Sequence, residues 1–172
     1  MLGKGGFGSV FMAFIEKPSS WMRSCLPLMV VKSTEFSLSK EPARERLVME
    51  TLAQSPFIIW CYGEDVTMSK DGKTMVANLF LEYTSGGSLA RLIHKLSSVA
   101  ESQVSLFTEF ILRGIQQIYY AGYIHCDMKP ENILVVPQAI VNNDTCFAAK
   151  ITDLELAKAV KGMKRDSNIL IT

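Results

Sequence analysis

Apolar, β-prone runs separated by turn residues fill roughly the first eighty positions of the chain. Residues 9–15 and 28–32 are two such runs, with a loop rich in proline and serine between them. Two more, near 57–67 and 75–83, flank a turn at Asp71-Gly72, a dipeptide typical of hairpins. The pattern predicts a strand-rich unit in this part of the chain.

One helix interrupts these strands. Residues 39–53 have the spacing of a helix, with Ser39 able to cap its N-terminus and Pro42 in its first turn. Val48 and Leu52 are four positions apart and therefore share one helical face. The first half of the chain thus predicts a small β-rich lobe that carries a single helix.

The second half changes to helical periodicity. Gly86-Gly87 breaks the chain, after which residues 88–96 predict a short helix and residues 102–121 a longer one. The apolar residues that recur at helical spacing in the longer helix are Val104, Phe107, Ile111, Ile115 and Ile118. Two strand-like pieces follow, at 132–136 and 149–152. Together the two halves predict an α+β fold.

Composition narrows the class of protein. The 172 residues are 48% hydrophobic and 20% charged, which is typical of a globular protein. The 18 basic residues nearly balance the 17 acidic ones, so we expect no nucleic-acid partner and no attraction to an acidic membrane. No apolar run is long enough to span a bilayer, and the N-terminus lacks a signal-peptide pattern.

The four cysteines are widely spaced without a C-x-x-C pair, which argues against a zinc knuckle or a disulfide scaffold: Cys25, Cys61, Cys126 and Cys146. We expect a cytoplasmic or nuclear protein, and the sequence indicates no oligomeric state.

Residues 2–10 form a glycine-rich motif, L-G-K-G-G-F-G-S-V, with G-x-G-x-x-G spacing at Gly3, Gly5 and Gly8. Such glycines let backbone N–H groups approach phosphate oxygens, although a glycine-rich turn without a ligand has the same sequence. A dinucleotide-binding fold needs a strand before this motif and a helix after it. Here a strand follows, which excludes that fold and predicts a β-hairpin flap.

Three later stretches give the glycines their context. Lys32 ends an apolar strand, residues 123–135 read Y-I-H-C-D-M-K-P-E-N-I-L-V, and residues 150–158 read K-I-T-D-L-E-L-A-K. In order and spacing, these motifs resemble the glycine loop, nucleotide-binding lysine, catalytic loop and metal-binding D-F-G segment of eukaryotic protein kinases. The K-P-E-N sequence is typical of the serine/threonine class. The resemblance covers nearly the whole chain, with residues 1–83 as the small lobe and 84–172 as the hinge, the start of the large lobe, the catalytic loop and the start of the activation loop.

This resemblance implies ATP and Mg²⁺ as cofactors and assigns roles to individual residues. Asp127 would accept or orient the proton of the substrate hydroxyl, and Lys129 would meet the γ-phosphate. Asn132 and Asp153 would hold the Mg²⁺ ions. Lys32 would bind the α- and β-phosphates and pair with a glutamate of the helix.

Three glutamates are candidates for that pairing: Glu41, Glu45 and Glu50. Glu45 begins the sequence E-x-x-V-M-x-x-L, which is the pattern that the family glutamate usually begins. We therefore predict Glu45 as the partner of Lys32, and we expect Glu41 and Glu50 to lie on a solvated face.

The resemblance also implies a nucleotide pocket. Leu81-Glu82-Tyr83-Thr84 resembles the hinge, with Leu81 as gatekeeper and with the Glu82 carbonyl and Thr84 N–H bonded to adenine. Ser88 occupies a position where a ribose contact is common. The remaining predicted contacts are Leu2, Gly3, Lys4, Gly5, Gly6, Phe7, Gly8, Ser9, Val10, Val30, Lys32 and Leu134. For the apolar residues among them, ordinary core packing explains the sequence equally well.

A closer similarity extends over three runs: residues 61–67, C-Y-G-E-D-V-T; residues 81–89, L-E-Y-T-S-G-G-S-L; and H-C-D at 125–127. They are similar to plant mitogen-activated protein kinase kinase kinases, which implies a protein substrate, with a downstream kinase as the expected class. Cys126 replaces the arginine of the commoner H-R-D. Because its side chain has no guanidinium to bind a phosphorylated activation loop, we expect that ordering switch to be absent.

Three departures from the family pattern qualify this prediction. Glu155 replaces the glycine of D-F-G, where glycine suits unusual backbone angles and a carboxylate adds negative charge beside a phosphate site. Val30 replaces a small alanine and would crowd the adenine. The sequence ends at Thr172, before an A-P-E segment, so we expect a helical lobe truncated in the activation loop, with the apolar face of 102–121 exposed.

These departures leave two alternatives to an active serine/threonine kinase. One is a catalytically impaired, pseudokinase-like module that binds ATP weakly or docks to a partner. The other is a gene fragment with no role of its own.

Overall fold

A computed structural model describes residues 3–5, 8–16, 27–35, 42–69, 71–96, 98–141 and 144–160. The chain divides into two compact units. The first consists of residues 1–50 and 60–83, and the second of residues 51–59 and 84–172. Residues 51–59 therefore belong with the second unit, although the sequence placed them in the first lobe.

The first unit is built on a five-stranded antiparallel sheet in the order β1-β2-β3-β5-β4. Its strands are β1 (Gly3–Gly5), β2 (Gly8–Phe14), β3 (Leu28–Glu35), β4 (Cys61–Met68) and β5 (Met75–Glu82). β3 and β5 lie inside the sheet, and their buried apolar residues contribute most of its core: Met29, Ala77, Leu79 and Leu81. The α+β prediction with a small antiparallel lobe is confirmed.

One helix, α1 (Pro42–Thr51), accompanies this sheet. Val48 and Met49 are almost completely buried, and Leu52 just beyond the helix is buried as well. The predicted cap, Ser39, lies outside the described residues. β4 and β5 are joined by the predicted tight turn, in which Gly72 has a φ of 69°.

Among its described residues, the second unit contains two helices and two small antiparallel pairs of strands. Its helices are α2 (Leu89–Lys95) and α3 (Glu101–Tyr120), and a single 3₁₀ turn spans Pro130–Asn132. β6 (Tyr123–Ile124) pairs with β9 (Lys158–Ala159), and β7 (Ile133–Val141) pairs with β8 (Asp144–Ile151). β7 and β8 form a hairpin that is considerably longer than the two strand-like pieces predicted from the sequence.

α3 packs against β8 through a close helix–strand contact. A Cβ atom at Gly114 would lie 2.7 Å from Cδ1 of Ile151, so a larger residue there would require the Ile151 side chain to shift. At the other end of the strand, the side-chain amide of Gln103 donates to the Phe147 carbonyl and accepts from its N–H. The helix is thereby held to the strand at two points along its length.

Only part of the apolar face of α3 is exposed. Phe107 and Ile118 are buried, contrary to the exposed face expected for 102–121, whereas Val104 is 49% exposed and Ile115 is 38% exposed. These two residues form, with Leu112 and Tyr119, a row of exposed large side chains at helical spacing, here called the α3 outer stripe. The apolar periodicity of the helix thus covers both a packed face and an exposed one.

The strand predicted to begin at residue 57 begins at Cys61 instead. Residues 57–59 form backbone bonds within the second unit: the Ile59 N–H donates to the Ile151 carbonyl, and the Ile151 N–H donates to the Phe57 carbonyl. The prediction was wrong here because apolar, β-prone residues do not specify which strand they pair with. Among the described helices, none combines the length and the hydropathy that crossing a membrane requires.

Candidate active site

A buried ion pair links β3 to α1. The Nζ atom of Lys32 lies 3.0 and 2.9 Å from the two carboxylate oxygens of Glu45, and both side chains are almost fully buried. Withdrawing two charges from water has a large desolvation cost, which only good geometry offsets. An ion pair of this kind is therefore a fixed structural feature of the first unit.

The other two candidate glutamates have different surroundings. Glu50 accepts from Arg46 on the exposed side of the same helix, at 2.9 Å from its Nε. Glu41 lies outside the described residues. Lys32 and Glu45 are therefore the pair that the structure brings together.

The first unit also places several predicted nucleotide contacts on one face of its sheet. Lys32 is opposite Val10 on β2 and Leu79 on β5, while Val30 is opposite Leu81. Directly opposed residues point to the same side of a sheet, as do residues two apart on a strand. Val10, Val30 and Lys32 therefore share one face, with Val30 half-buried.

The glycine-rich motif forms the predicted hairpin. β1 and β2 pair antiparallel, with Gly3 opposite Val10, Lys4 opposite Ser9 and Gly5 opposite Gly8. Leu2, Gly6 and Phe7 lie outside the described residues.

Gly8 is the glycine of this motif that the backbone requires. Its φ is 138°, and a Cβ atom there would lie 2.2 Å from the carbonyl oxygen of Ser33 on β3. Any side chain would collide with the neighbouring strand, so the hairpin needs glycine at this position.

The hinge-like residues are held by polar contacts on either side. At the end of β5, the Glu82 N–H donates to the Trp60 carbonyl, and the Glu82 carboxylate accepts from the Trp60 N–H. Thr84 opens the second unit and is half-buried. The position of Glu82 on the sheet is thus fixed through both its backbone and its side chain.

Ser88 is a helix cap in this structure. Its hydroxyl accepts from the Arg91 N–H at 3.3 Å and closes the first turn of α2. Its backbone forms a bridge with Leu134 on β7, and next to it the Val135 N–H donates to the Gly87 carbonyl. Ser88 and Leu134, two predicted nucleotide contacts, are therefore adjacent in the second unit.

Asp127 is the centre of a charged cluster. Its Oδ2 accepts from the Lys129 ammonium at 2.7 Å and from the Asn132 amide at 3.0 Å, and its carbonyl also accepts from Asn132, at 2.9 Å. The hydrogen bond from Lys129 holds the pKa of Asp127 below its ordinary value, and the same contact raises the pKa of Lys129. The carboxylate is accordingly ionised at neutral pH and acts as a hydrogen-bond acceptor.

His125 connects this cluster to the segment before Asp153. Its Nδ1 accepts from the Asp127 N–H at 3.2 Å, and its Nε2 lies 3.0 Å from the Thr152 carbonyl oxygen. Because Nδ1 is an acceptor here, the ring proton is on Nε2, which donates to Thr152. Sequence analysis assigned His125 no role, although its position in H-C-D, two residues before Asp127, was visible.

Backbone bonds complete the connection between the two predicted metal ligands. The Thr152 N–H donates to the Asn132 carbonyl at 3.0 Å, and next to this bond Ile133 pairs with Ile151. Asp153 follows Thr152 directly, so its place relative to Asn132 is set by this bonded backbone. Its φ of 64° lies in the left-handed region, which residues other than glycine seldom occupy.

Left-handed backbone also occurs at Cys126, with a φ of 66°. Its exposed thiol is 3.5 Å from the Ile124 carbonyl. Cys126, just before Asp127, and Asp153, just after Thr152, therefore both have strained backbones. Such strain concentrates at functional sites.

The predicted backbone problem at Glu155 does not occur. Among the described non-glycine residues only Cys126 and Asp153 have positive φ, so Glu155 adopts an ordinary conformation in its turn. Leu154 before it is completely buried, and the Ala157 N–H donates to the Leu154 carbonyl. The unusual angles expected at Glu155 lie two residues earlier, at Asp153.

Comparison with known proteins gives consistent matches. A family model described as "Protein kinase domain" matches residues 1–172. The chain is 37% identical to mitogen-activated protein kinase kinase kinase 20 of Arabidopsis thaliana, over 94% of this chain and 44% of the relative. It is 30% identical to mitogen-activated protein kinase kinase kinase 18 of the same plant, over 94% and 47%, and 27% identical to serine/threonine-protein kinase SSK22 of Saccharomyces cerevisiae, over 95% and 11%. The chain therefore spans less than half the length of these relatives.

Proposed function

Because the chain belongs to the protein kinase domain family, we propose that it carries the ATP-binding and catalytic-loop residues of a serine/threonine kinase. The reaction is transfer of the γ-phosphoryl group of ATP to a hydroxyl of a protein substrate. The observation that carries this proposal is the cluster in which Lys129 and Asn132 both hold the carboxylate of Asp127.

Asp127 has the properties that an orienting acceptor needs. In the transfer, the substrate oxygen forms a bond to phosphorus as the bond to the β-phosphate oxygen of ATP breaks, which leaves ADP. The hydroxyl proton passes to the Asp127 carboxylate. Because Lys129 lowers the pKa of Asp127, this carboxylate is a weak base whose main contribution is to aim the hydroxyl.

Lys129 and Lys32 supply positive charge for the phosphates. Lys129 is exposed and only 2.7 Å from Asp127, so it can contact the γ-phosphate next to the substrate hydroxyl. Lys32, held by Glu45, would bind the α- and β-phosphates. A fixed ammonium is worth more than a mobile one, because no side-chain entropy is lost when the phosphate arrives.

The residues proposed as metal ligands suit a hard divalent cation. The Asn132 amide nitrogen donates twice to Asp127, which leaves its amide oxygen for a cation, and Asp153 adds a carboxylate. When bound, Mg²⁺ would neutralise charge on the phosphoryl group in transfer. His125 and Thr152 hold the backbone on which both ligands lie.

The nucleotide contacts complete the proposal. The glycine hairpin offers backbone N–H groups to phosphate. Glycine at position 8 lets the hairpin lie close against β3. Val10 and Val30 share the face of Lys32 and supply an apolar surface for adenine. Glu82 and Thr84 would bond the adenine edge through their backbone atoms.

The names of two relatives indicate a class of protein substrate. Two of them are named as mitogen-activated protein kinase kinase kinases. On that ground we propose a protein substrate that is itself a kinase in a signalling cascade, in the cytoplasm or nucleus.

A second candidate function is a nucleotide-binding or docking module without catalysis. Glu155 favours it, because its carboxylate stands two residues from Asp153 and repels the phosphates that the metal must hold. The exposed α3 outer stripe favours docking.

A radiolabel transfer assay separates the two functions. The chain is incubated with Mg-ATP and a generic serine/threonine acceptor protein beside the Asp127→Asn variant. We expect incorporation that Asp127→Asn reduces by about 10²-fold or more. Equal incorporation by both proteins would remove the catalytic proposal. A rise in melting temperature with Mg-ATP, followed by circular dichroism, would then support nucleotide binding alone.

A further inference from the structure

Two ion pairs, from consecutive residues of α1, join this helix to the sheet. Glu45 pairs with Lys32 on β3, and Arg46 pairs with Glu64 on β4, at 2.5 Å between Nη1 and Oε1. The first pair belongs to the proposed phosphate site. The second has no role in the chemistry proposed above.

The two pairs attach the helix to the strands on either side of β5. In the sheet order, β5 separates β3 from β4, so the two attachment strands are about 10 Å apart at ordinary strand spacing. A helix attached at a single point can still turn about its own axis. Attachment at two points on either side of β5 prevents that rotation.

The guanidinium of Arg46 is suited to this contact. Its Nη1 bonds Glu64, while its Nε and Nη2 bond Glu50 one turn along the helix, so the planar group is fixed by two carboxylates. The hydrogen bond to Glu64, followed by that to Glu50, raises the pKa of Arg46. Glu50 thus orients the guanidinium from within α1, whereas Glu64 connects it to the sheet.

We propose that Arg46 is a positioning residue: its ion pair with Glu64 fixes the rotation of α1 and so keeps Glu45 on Lys32. The proposal deepens the proposed function, since the pair that it positions is the one assigned to the phosphates. The contact of Arg46 with Glu64 on β4 is the one that fixes the helix, whereas Glu50 only orients the guanidinium. Loss of the tether lets α1 turn, so the contact between Lys32 and Glu45 is broken for a larger fraction of the time.

The test measures the accessibility of Lys32 directly and without phosphotransfer. The folded chain is labelled with a trace of acetic anhydride, and acetylation of each lysine is followed by mass spectrometry. The variants are Arg46→Met, Glu64→Gln and the double variant. Glu50→Gln is the matched control, because it removes a partner of Arg46 without cutting the attachment to the sheet. Exposed Lys95 on α2 is the internal control in every sample.

A partly exposed ion pair is worth about two- to fivefold in an equilibrium. We expect Arg46→Met and Glu64→Gln each to speed acetylation of Lys32 relative to Lys95 by about that factor. The double variant should be no faster than either single one, because both cut the same contact. Glu50→Gln should change the ratio by less than about twofold.

Two results would overturn the proposal. One is an unchanged Lys32 ratio in Arg46→Met and Glu64→Gln, whatever happens to the melting temperature. The other is an equal increase in Glu50→Gln, which would make the contact within the helix the important one. Phosphotransfer is measured in parallel, and kcat should fall by the same two- to fivefold. If the unmodified chain transfers no phosphate, the proposed function fails, while the labelling ratios still decide the role of Arg46.

Discussion

The N–H of Asp127 donates to Nδ1 of His125 at 3.2 Å, and the opposite nitrogen of the same ring bonds the carbonyl of Thr152. One buried imidazole thereby spans the two segments that carry the proposed catalytic and metal-binding carboxylates. Both ring nitrogens are occupied, so a residue able to make only one of these bonds leaves the other group unpaired.

The first prediction concerns this imidazole. His125→Phe keeps the ring volume but leaves the Asp127 N–H and the Thr152 carbonyl without their partner, which costs about 1–3 kcal/mol for each buried group left unpaired. We expect the urea midpoint of unfolding to fall clearly. His94→Phe, on an exposed position of α2, is the control and should change it little. Similar midpoints for the two variants would mean that His125 does not hold these segments.

The second prediction concerns the titration of Asp127. Lys129→Met removes the hydrogen bond that lowers the pKa of Asp127, so the midpoint of the carboxyl ¹³C titration should rise toward the ordinary value. A carboxyl group with a lowered folded-state pKa stabilises the fold above its unfolded-state pKa, and this contribution disappears as pH falls through the folded value. In Lys129→Met this contribution is smaller, so the free energy of unfolding should fall less as the pH is lowered. Lys95→Met is the control, and a shift of the Asp127 midpoint in that variant would contradict the assignment.

The third prediction contrasts a buried ion pair with an exposed one. Glu45→Gln removes the carboxylate that the buried Lys32 ammonium contacts and should lower the free energy of unfolding by about 3–5 kcal/mol. Arg113→Met breaks the exposed pair with Glu109 and should cost about 0–1 kcal/mol. Chemical denaturation measures both. A cost below about 1 kcal/mol for Glu45→Gln would show that Lys32 is solvated in solution.

The fourth prediction concerns the close approach of Gly8 to β3. Gly8→Ala places a methyl group against the Ser33 carbonyl and should cost more than the roughly 1 kcal/mol of backbone strain alone. Gly72→Ala is matched to it, because Gly72 also has a positive φ but open space around its Cβ position. Calorimetric melting temperatures should therefore be clearly lower for Gly8→Ala. Equal values would mean that β1 and β2 move away from β3 without cost.

The fifth prediction concerns the charge at Glu155. Glu155→Gly removes a carboxylate near the proposed metal and phosphate site, and we expect phosphotransfer to increase by about tenfold. Glu101→Gly, which removes an exposed carboxylate from the first turn of α3 in the same unit, is the control. If Glu155→Gly leaves phosphotransfer unchanged while Asp127→Asn abolishes it, Glu155 does not impair catalysis.

Much of the fold was predictable because the local patterns agree with the tertiary structure. The glycine hairpin, the strand that ends near Lys32, and the helices at 88–96 and 102–121 follow from turn residues and periodicity. The protein kinase family and its plant relatives were predicted from motifs and are confirmed. Motifs of this kind are informative because the chemistry fixes both residue type and spacing.

The remaining features depend on contacts between residues distant in sequence. That residues 57–59 bond to Ile151, and that Val104 is exposed while Gln117 is buried, depends on which elements meet. Gln117 is buried because its side chain accepts from the Ser55 hydroxyl, a contact across 62 positions. The ion pair of Arg46 with Glu64 also joins residues distant in sequence. No local pattern distinguishes these two residues from ordinary surface charges.

The α3 outer stripe affects how the chain should be handled in solution. Leu112 is 60% exposed and Tyr119 is 48% exposed, so environment-sensitive dyes will adsorb to the native protein and fluoresce before any melting. The same row of side chains favours concentration-dependent clustering, which salting-out ions will strengthen. Dilute samples, moderate chloride and label-free spectroscopy are therefore the appropriate conditions for the unfolding measurements above.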